Sequence, residues 1–327
     1  QPGRLRVFRN GVLVANHIPG VPKVFYEGQG GLMDVVLHPE FSSNHLLYLS
    51  YSKPYADGNG STTAVVRGQF INDRLEHVEE VFEADSQGRG HYGSRLAFDT
   101  DGFLFITVGD RMVSPSGHLE KHPAQDISNS HGTVNRIKDD GSVPESNPFA
   151  SRQDAQKEIW SFGHRNPQGL VVDHQNRNIW ITEHGPKGGD ELNLIKPGLN
   201  YGWPVVGYGV NYRGGTVIHK GTMSEGMELP VHVWVPSTGV SGLMLYTGNR
   251  FPDWRGNLFA GGLSGQQVAR LSMDGHQVLI EETLVHRMGR IRDVRQGLDG
   301  YIYIAIDGNK EGELTPIYRL EPVEEKK

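Results

Sequence analysis

The chain has 327 residues, 43 glycines, no cysteine and a formal charge of −6 at pH 7. Disulfides and thiolate metal sites are therefore excluded. An acidic balance with no block of like charges outside the Glu324–Lys327 tail argues against a nucleic-acid partner, and no run approaches the ~20 apolar residues that span a bilayer. The length exceeds the ~100–200 residues of an ordinary domain, yet large all-β folds run longer as one.

In chain order, one pattern recurs: an apolar strand, a turn rich in Asp, Asn, Gly or Pro, then a strand with a central aromatic. DVVLHPEFSSNH leads into Leu46–Ser50, RLAFDTDG into Phe103–Val108 and GLVVDHQNR into Asn178–Thr182. LMLYTGNRFPDWRG leads into Asn257–Gly261, and RDVRQGLDG into Tyr301–Ile306. Units of ~45–80 residues suit propeller blades of about four strands. Further strands are expected at Leu5–Phe8, Ala64–Phe70, His77–Phe82, Thr133–Ile137, Val231–Trp234, Val268–Met273 and Ile317–Leu320. No apolar set recurs at helical spacing. Five units plus strands left over at both termini predict an all-β, six-bladed β-propeller, closed by the N- and C-terminal segments, as a single domain over residues 1–327. Closure would hide sheet edges.

Several loops carry groups suited to chemistry. Gln29, in the glycine-rich EGQGGLMDV, either opens a blade or presents an amide; the Lys-Ser/Thr ending of a phosphate loop is missing. His91 precedes a strand and Asp110 follows the next, so a hairpin would bring the two ends to one edge. A carboxylate on one ring nitrogen fixes the tautomer and leaves the other nitrogen for proton abstraction; the alternative is a plain loop histidine. GHRNPQG places Arg165 and Asn166 side by side before Pro167, offering a forked cationic donor for an oxyanion or carboxylate.

The EHGPKGGDELN loop combines Glu183, Asp190 and Glu191 with bends at Gly185, Pro186, Gly188 and Gly189. Hard cations want oxygens from carboxylates and inward-turned carbonyls, while a solvated acidic turn is the plainer reading. Arg290 and Arg292 alternate, so in a strand they share a face. That arrangement asks for an anion, either a ligand or a protein carboxylate. His118 and His122 have the i, i+4 spacing of a zinc pair but no third ligand, and read as loop residues.

Taken together, GQGGLMDVVLHPEF, GHRNPQG, TEHGPKGGDELNLI, NYGWP and a late R-x-R-D resemble the soluble quinoprotein glucose and aldose sugar dehydrogenases. These use pyrroloquinoline quinone (PQQ) and calcium on a six-bladed propeller. The resemblance runs from about Gly28 to Asp293 and is strongest to the bacterial aldose sugar dehydrogenase branch. It implies oxidation of aldoses at C1 to lactones, with His91 as base, hydride passing to the quinone C5, and electrons leaving to an external acceptor. It further implies that Asp110 orients the base and that Gln29, Arg165 and Asn166 contact PQQ, with Arg165 near the reacting carbonyl oxygen. Arg290 and Arg292 would face the cofactor's carboxylates. The carbonyls of Gly185 and Pro186 would hold the calcium that also binds PQQ, and Glu191 with Tyr201 a further, structural calcium.

One departure stands out. Where the glucose-dehydrogenase branch has a lysine contacting PQQ, this chain reads GLSGQQ over Gly262–Gln267, with Ser264 nearest that place. A start at Gln1 rather than Met reads as either a processed mature chain or a trimmed one, and the resemblance implies a periplasmic protein, monomeric or homodimeric. Rival readings are a calcium-dependent propeller lactonase, which would need no quinone, and a non-catalytic sugar-binding propeller. The paired arginines favour the quinone, because a neutral lactone needs no such clamp.

Overall fold

The computed structural model describes residues 2–308 and 315–323; Gln1 and the Glu324–Lys327 tail lie outside them. The fold is all-β, of the β-propeller type, and divides into two compact units: residues 1–166 with 197–203, and 167–196 with 204–327.

The first unit opens with the hairpin β1 (Phe8–Arg9) and β2 (Val12–Leu13). Its first blade is β3 (Leu32–Leu37), β4 (Leu46–Pro54), β5 (Ser61–Ile71) and β6 (Arg74–Glu83), an antiparallel meander. A single helical turn, α1 (Phe41–Asn44), interrupts the first connection and ends at His45 in a left-handed conformation. The second blade is β7 (Leu96–Phe98), β8 (Leu104–Val108), β9 (Thr133–Ile137) and β10 (Ile159–Phe162). Alternation sends Tyr48, Val65, Leu96, Leu104, Ile106 and Ile137 into one core between these blades.

The second unit holds three blades. They are β11 (Pro167–Asp173), β12 (Asn178–Glu183), β13 (Asp190–Ile195) and β14 (His232–Trp234); β15 (Val240–Leu245), β16 (Leu258–Gly262), β17 (Gln267–Asp274) and β18 (Gln277–His286); and β19 (Arg290–Gln296), β20 (Ile302–Asp307) and β21 (Ile317–Leu320). Trp180, Leu192, Trp234, Val240 and Leu258 form one core, and Tyr246, Phe259, Ile291, Val294 and Ile304 another.

Six blades are thus an overcount: the described residues form five blade sheets and one hairpin. The strands assigned to a sixth blade are used elsewhere. Ile317–Leu320 is the third strand of the fifth blade, paired to β20. Leu5 and Val7 are not a blade strand; their carbonyls accept from the amides of Ile18 and Val14, and their side chains pack on the first blade's core. Among the described residues each terminal segment pairs inside its own unit. No helix among the described residues is long and apolar enough to cross a membrane.

Candidate active site

In the first unit the hairpin β7–β8 brings its two flanking loops to one edge. His91 Nδ1 lies 2.6 Å from Asp110 Oδ1. Asp110 is buried, and it also accepts from the Met112 amide (2.9 Å) and from the Trp203 indole N–H (2.8 Å). Since a carboxylate only accepts, His91 carries its proton on Nδ1 and keeps the Nε2 lone pair. Burial, the largest influence, holds the His91 pKa below the ordinary histidine value; Asp110 opposes this, and the charges of Arg165 and Arg111 add to it. For Asp110 burial pushes upward, but the bond to His91, the charge of Arg165 and the Met112 amide outweigh it and keep the group below the usual carboxylate range. Near neutrality the pair is a neutral imidazole on an anionic carboxylate.

The surrounding backbone is strained at this point. His91, Arg111 and Met112 all have positive φ (45°, 59° and 63°), a conformation that costs non-glycine residues free energy and collects at functional sites. Cross-links hold it. The His91 amide donates to Gln29 Oε1 (2.7 Å), Gly93 donates to Asn166 Oδ1 (3.2 Å), and the Asp110 amide donates to the Arg165 carbonyl (2.7 Å). The Arg165 guanidinium lies 5.2 Å from the Trp203 ring centroid. Gln29, His91, Asp110, Arg165 and Asn166, chosen from sequence for their chemistry, are thus gathered in one cluster, the last four buried and Gln29 exposed at its rim. Gly109 allows the approach, since a Cβ there would sit 2.1 Å from the His91 carbonyl oxygen and 3.0 Å from Asn166 Oδ1. Gly109→Ala is expected to cost about 1–3 kcal/mol, as overpacking does, read as a lower midpoint in denaturant unfolding.

A second expectation concerns pH. With the folded pKa of His91 below its unfolded value, the unfolded chain binds more protons in between, so stability rises with pH through that window. This contribution is present above the ordinary histidine value and is lost on acidification toward the folded pKa. Histidine NMR should place the His91 midpoint below the ordinary histidine value.

The second unit carries the remaining candidates. Arg292 donates to Asp307 (2.7 Å) and to Gln168 Oε1 (3.0 Å), and Arg290 Nε lies 3.7 Å from the same Asp307 oxygen. The two guanidiniums do converge, but a protein carboxylate already lies with them. Both side chains are about a third exposed. In the glycine-rich loop, Asp190 is committed to structure: it accepts from the amides of Gly185, Gly239 and Val240. The Pro186 carbonyl accepts only a long bond, 3.4 Å, from Ser237. A Cβ on Gly185 would meet the Gly188 and Gly189 carbonyl oxygens at 2.5 and 2.2 Å, so backbone oxygens crowd this bend.

Glu191 and Glu183 face each other across β12 and β13, and the Asn193 amide donates to both. Burial, then the charge of Glu183, push Glu191 up to about 8. Tyr201 belongs to the first unit, where its ring stacks on His164 at 4.7 Å. Ser264 lies in the turn between β16 and β17, its Oγ 3.0 Å from where a Cβ of Gly239 would be. His118 and His122 flank a single 3-10 turn, with the His122 ring accepting from the Ala124 amide. Among the described residues no three His, Asp or Glu side chains cluster as a metal site.

The family model for Glucose / Sorbosone dehydrogenase matches residues 1–316. The chain belongs to this family. It is accordingly an oxidoreductase of the sugar-dehydrogenase kind. It is 40% identical over 322 residues to aldose sugar dehydrogenase YliI of Escherichia coli, covering 96% of this chain and 84% of the relative. A solved structure of a glucose dehydrogenase superposes with a TM-score of 0.92 at 40% identity, covering 98% and 91% of the two chains. The PQQ-bound aldose sugar dehydrogenase of Streptomyces coelicolor superposes with a TM-score of 0.75 at 27% identity, covering 93% and 84%.

Four residues of this glucose/sorbosone dehydrogenase family member escaped the sequence reading. Trp203 was visible only as part of NYGWP, Arg111 only as the neighbour of Asp110. Gln168 was visible only as part of GHRNPQG, 124 residues from Arg292, and Asp307 only as the end of the strand that pairs with the arginines.

Proposed function

We propose that the protein is a PQQ- and calcium-dependent aldose dehydrogenase that oxidises the sugar at C1 to an aldonolactone and hands the electrons to an external acceptor. The observation that carries the reading is the buried His91–Asp110 pair at 2.6 Å with Arg165 and Asn166 beside it, in a chain whose relatives include a PQQ-bound aldose sugar dehydrogenase.

The residues present fit the two absent groups by their chemistry. PQQ is a tricarboxylate, and the converging, partly exposed guanidiniums of Arg290 and Arg292 suit an anionic edge. Calcium takes oxygen ligands, which the Gly185 and Pro186 carbonyls supply, while Glu191 and Glu183 form a carboxylate pair whose mutual repulsion a structural cation would relieve. When bound, the calcium-activated quinone supplies the hydride-accepting carbon.

The chain's own residues do the rest. His91 Nε2 takes the proton of the C1 hydroxyl, which frees the oxygen to form the carbonyl as the C1 hydrogen departs. Asp110 accepts from Nδ1–H throughout, holding the tautomer and stabilising the imidazolium. Arg165 and Asn166 orient the ring system with fixed donors, and Gln29 holds the His91 backbone. An exported, periplasmic setting belongs to the same reading; a chain without cysteine suits an oxidising compartment.

The binding half of the proposal is tested by titrating PQQ into the protein with and without Ca²⁺. One equivalent should bind with a shifted quinone absorbance, and only when calcium is present. Absence of a bound-quinone spectrum under saturating calcium would overturn it.

A further inference from the structure

We propose that Trp203 is a positioning residue for the base: its indole N–H and the Nδ1–H of His91 hold the two oxygens of one buried carboxylate, so that Asp110 cannot turn and His91 stays aimed. The proposal rests on the reading of His91 as the base.

The carboxylate torsion of an aspartate is broad and roughly two-fold. One hydrogen bond from His91 would not fix it, because either oxygen could take the proton donor. Here both oxygens are committed. Oδ1 faces His91 Nδ1 (2.6 Å) and the Met112 amide (2.9 Å), while Oδ2 faces Trp203 Nε1 (2.8 Å). Asp110 is 1% exposed, so water cannot stand in for a missing donor.

Trp203 is itself immobilised. Its amide donates to the Gly163 carbonyl (2.8 Å), and its carbonyl accepts from Gln125 Nε2 (2.7 Å). Its ring meets His122 edge-on at 6.3 Å. A rigid side chain with two torsions loses little entropy in being held. The same ring carries the Arg165 guanidinium at 5.2 Å, so one side chain orients both the anion behind the base and the cation beside it.

The indole N–H also draws off part of the carboxylate's charge. With it removed, more of that charge faces His91, and proton affinity rises. The charged groups acting on His91 are Asp110, Arg165 and Arg111, and Trp203→Phe retains all three and the aromatic face under Arg165.

The test is ¹⁵N-histidine NMR on the protein without PQQ or calcium, so it reads the ring rather than turnover. Trp203→Phe should raise the proton affinity of His91 about tenfold, an upward move of about one pH unit in its midpoint. In an Asp110→Asn background the same substitution should move it by less than a third of that. An unchanged midpoint in folded Trp203→Phe, or an equal shift in both backgrounds, would overturn the proposal. Should Trp203→Phe fail to fold, the wild type still decides. The Trp203 indole N–H resonance, assigned by replacing the other four of the five tryptophans, should titrate with the His91 midpoint; a flat resonance would count against the coupling. Failure of the sugar-dehydrogenase reading would appear instead as wild-type protein that neither binds PQQ nor turns over, with the NMR result untouched.

Discussion

Replacing His91 with glutamine is expected to lower turnover by about 10²–10⁴, the usual worth of a positioned general base, while leaving PQQ affinity within a few-fold. Glutamine fills much of the same space and its amide can still donate to Asp110, which also keeps the Trp203 and Met112 donors. What disappears is a proton acceptor of suitable basicity. The measurement is steady-state reduction of an electron-acceptor dye by glucose in the presence of PQQ and Ca²⁺, alongside a PQQ titration. Loss of binding together with turnover would make His91 a cofactor contact only, and near-normal turnover would remove it from the role of base.

The second large effect concerns Arg292. If its guanidinium answers a carboxylate of the quinone, Arg292→Ala should weaken PQQ binding by roughly 10–100-fold, the scale of one or two lost charge-assisted hydrogen bonds. The structure also supplies the competing account, because Arg292 already donates to Asp307 at 2.7 Å and to Gln168 at 3.0 Å. In that account Arg292→Ala strands a partly buried carboxylate and lowers the melting temperature, PQQ affinity holds, and Asp307→Asn restores stability. Measuring affinity and melting temperature on the single and double variants separates the two, since a cofactor clamp predicts an affinity loss that Asp307→Asn does not repair.

How far the sequence was legible depends on whether a signal was local. The hairpin around residues 99–103 is local, so the meeting of His91 and Asp110 could be anticipated from two flanking loops. The GHRNPQG loop likewise declared its chemistry within seven residues. Trp203 could not be found that way, since it reaches Asp110 only through folding, over 93 positions; Asp307, across the β19–β20 hairpin from Arg290, was as local as the His91–Asp110 pair and was overlooked. Within the glycine-rich loop, carboxylates that look alike in sequence part company in three dimensions. Asp190 ties three backbone amides, while Glu191 faces Glu183 across a strand pair.

Among the strands missed, β18 has its alternation broken by exposure. β18 keeps only Val285 buried and shows Leu279 and Ile280 to solvent, so its apolar residues carry no period. β13 begins at Asp190, inside what reads as loop. The sixth blade was an inference from bookkeeping of terminal strands, and it failed because a fifth blade short of one strand absorbed Ile317–Leu320.

The central claim is that a sugar's C1 hydrogen leaves as hydride while His91 takes the hydroxyl proton, and turnover measures that most directly. Protein given PQQ and Ca²⁺ should reduce an acceptor dye only when an aldose such as glucose is added, in step with lactone formation. Omission of either PQQ or calcium should abolish the reaction. Protein that binds both, yet reduces no dye with any aldose, would contradict the account.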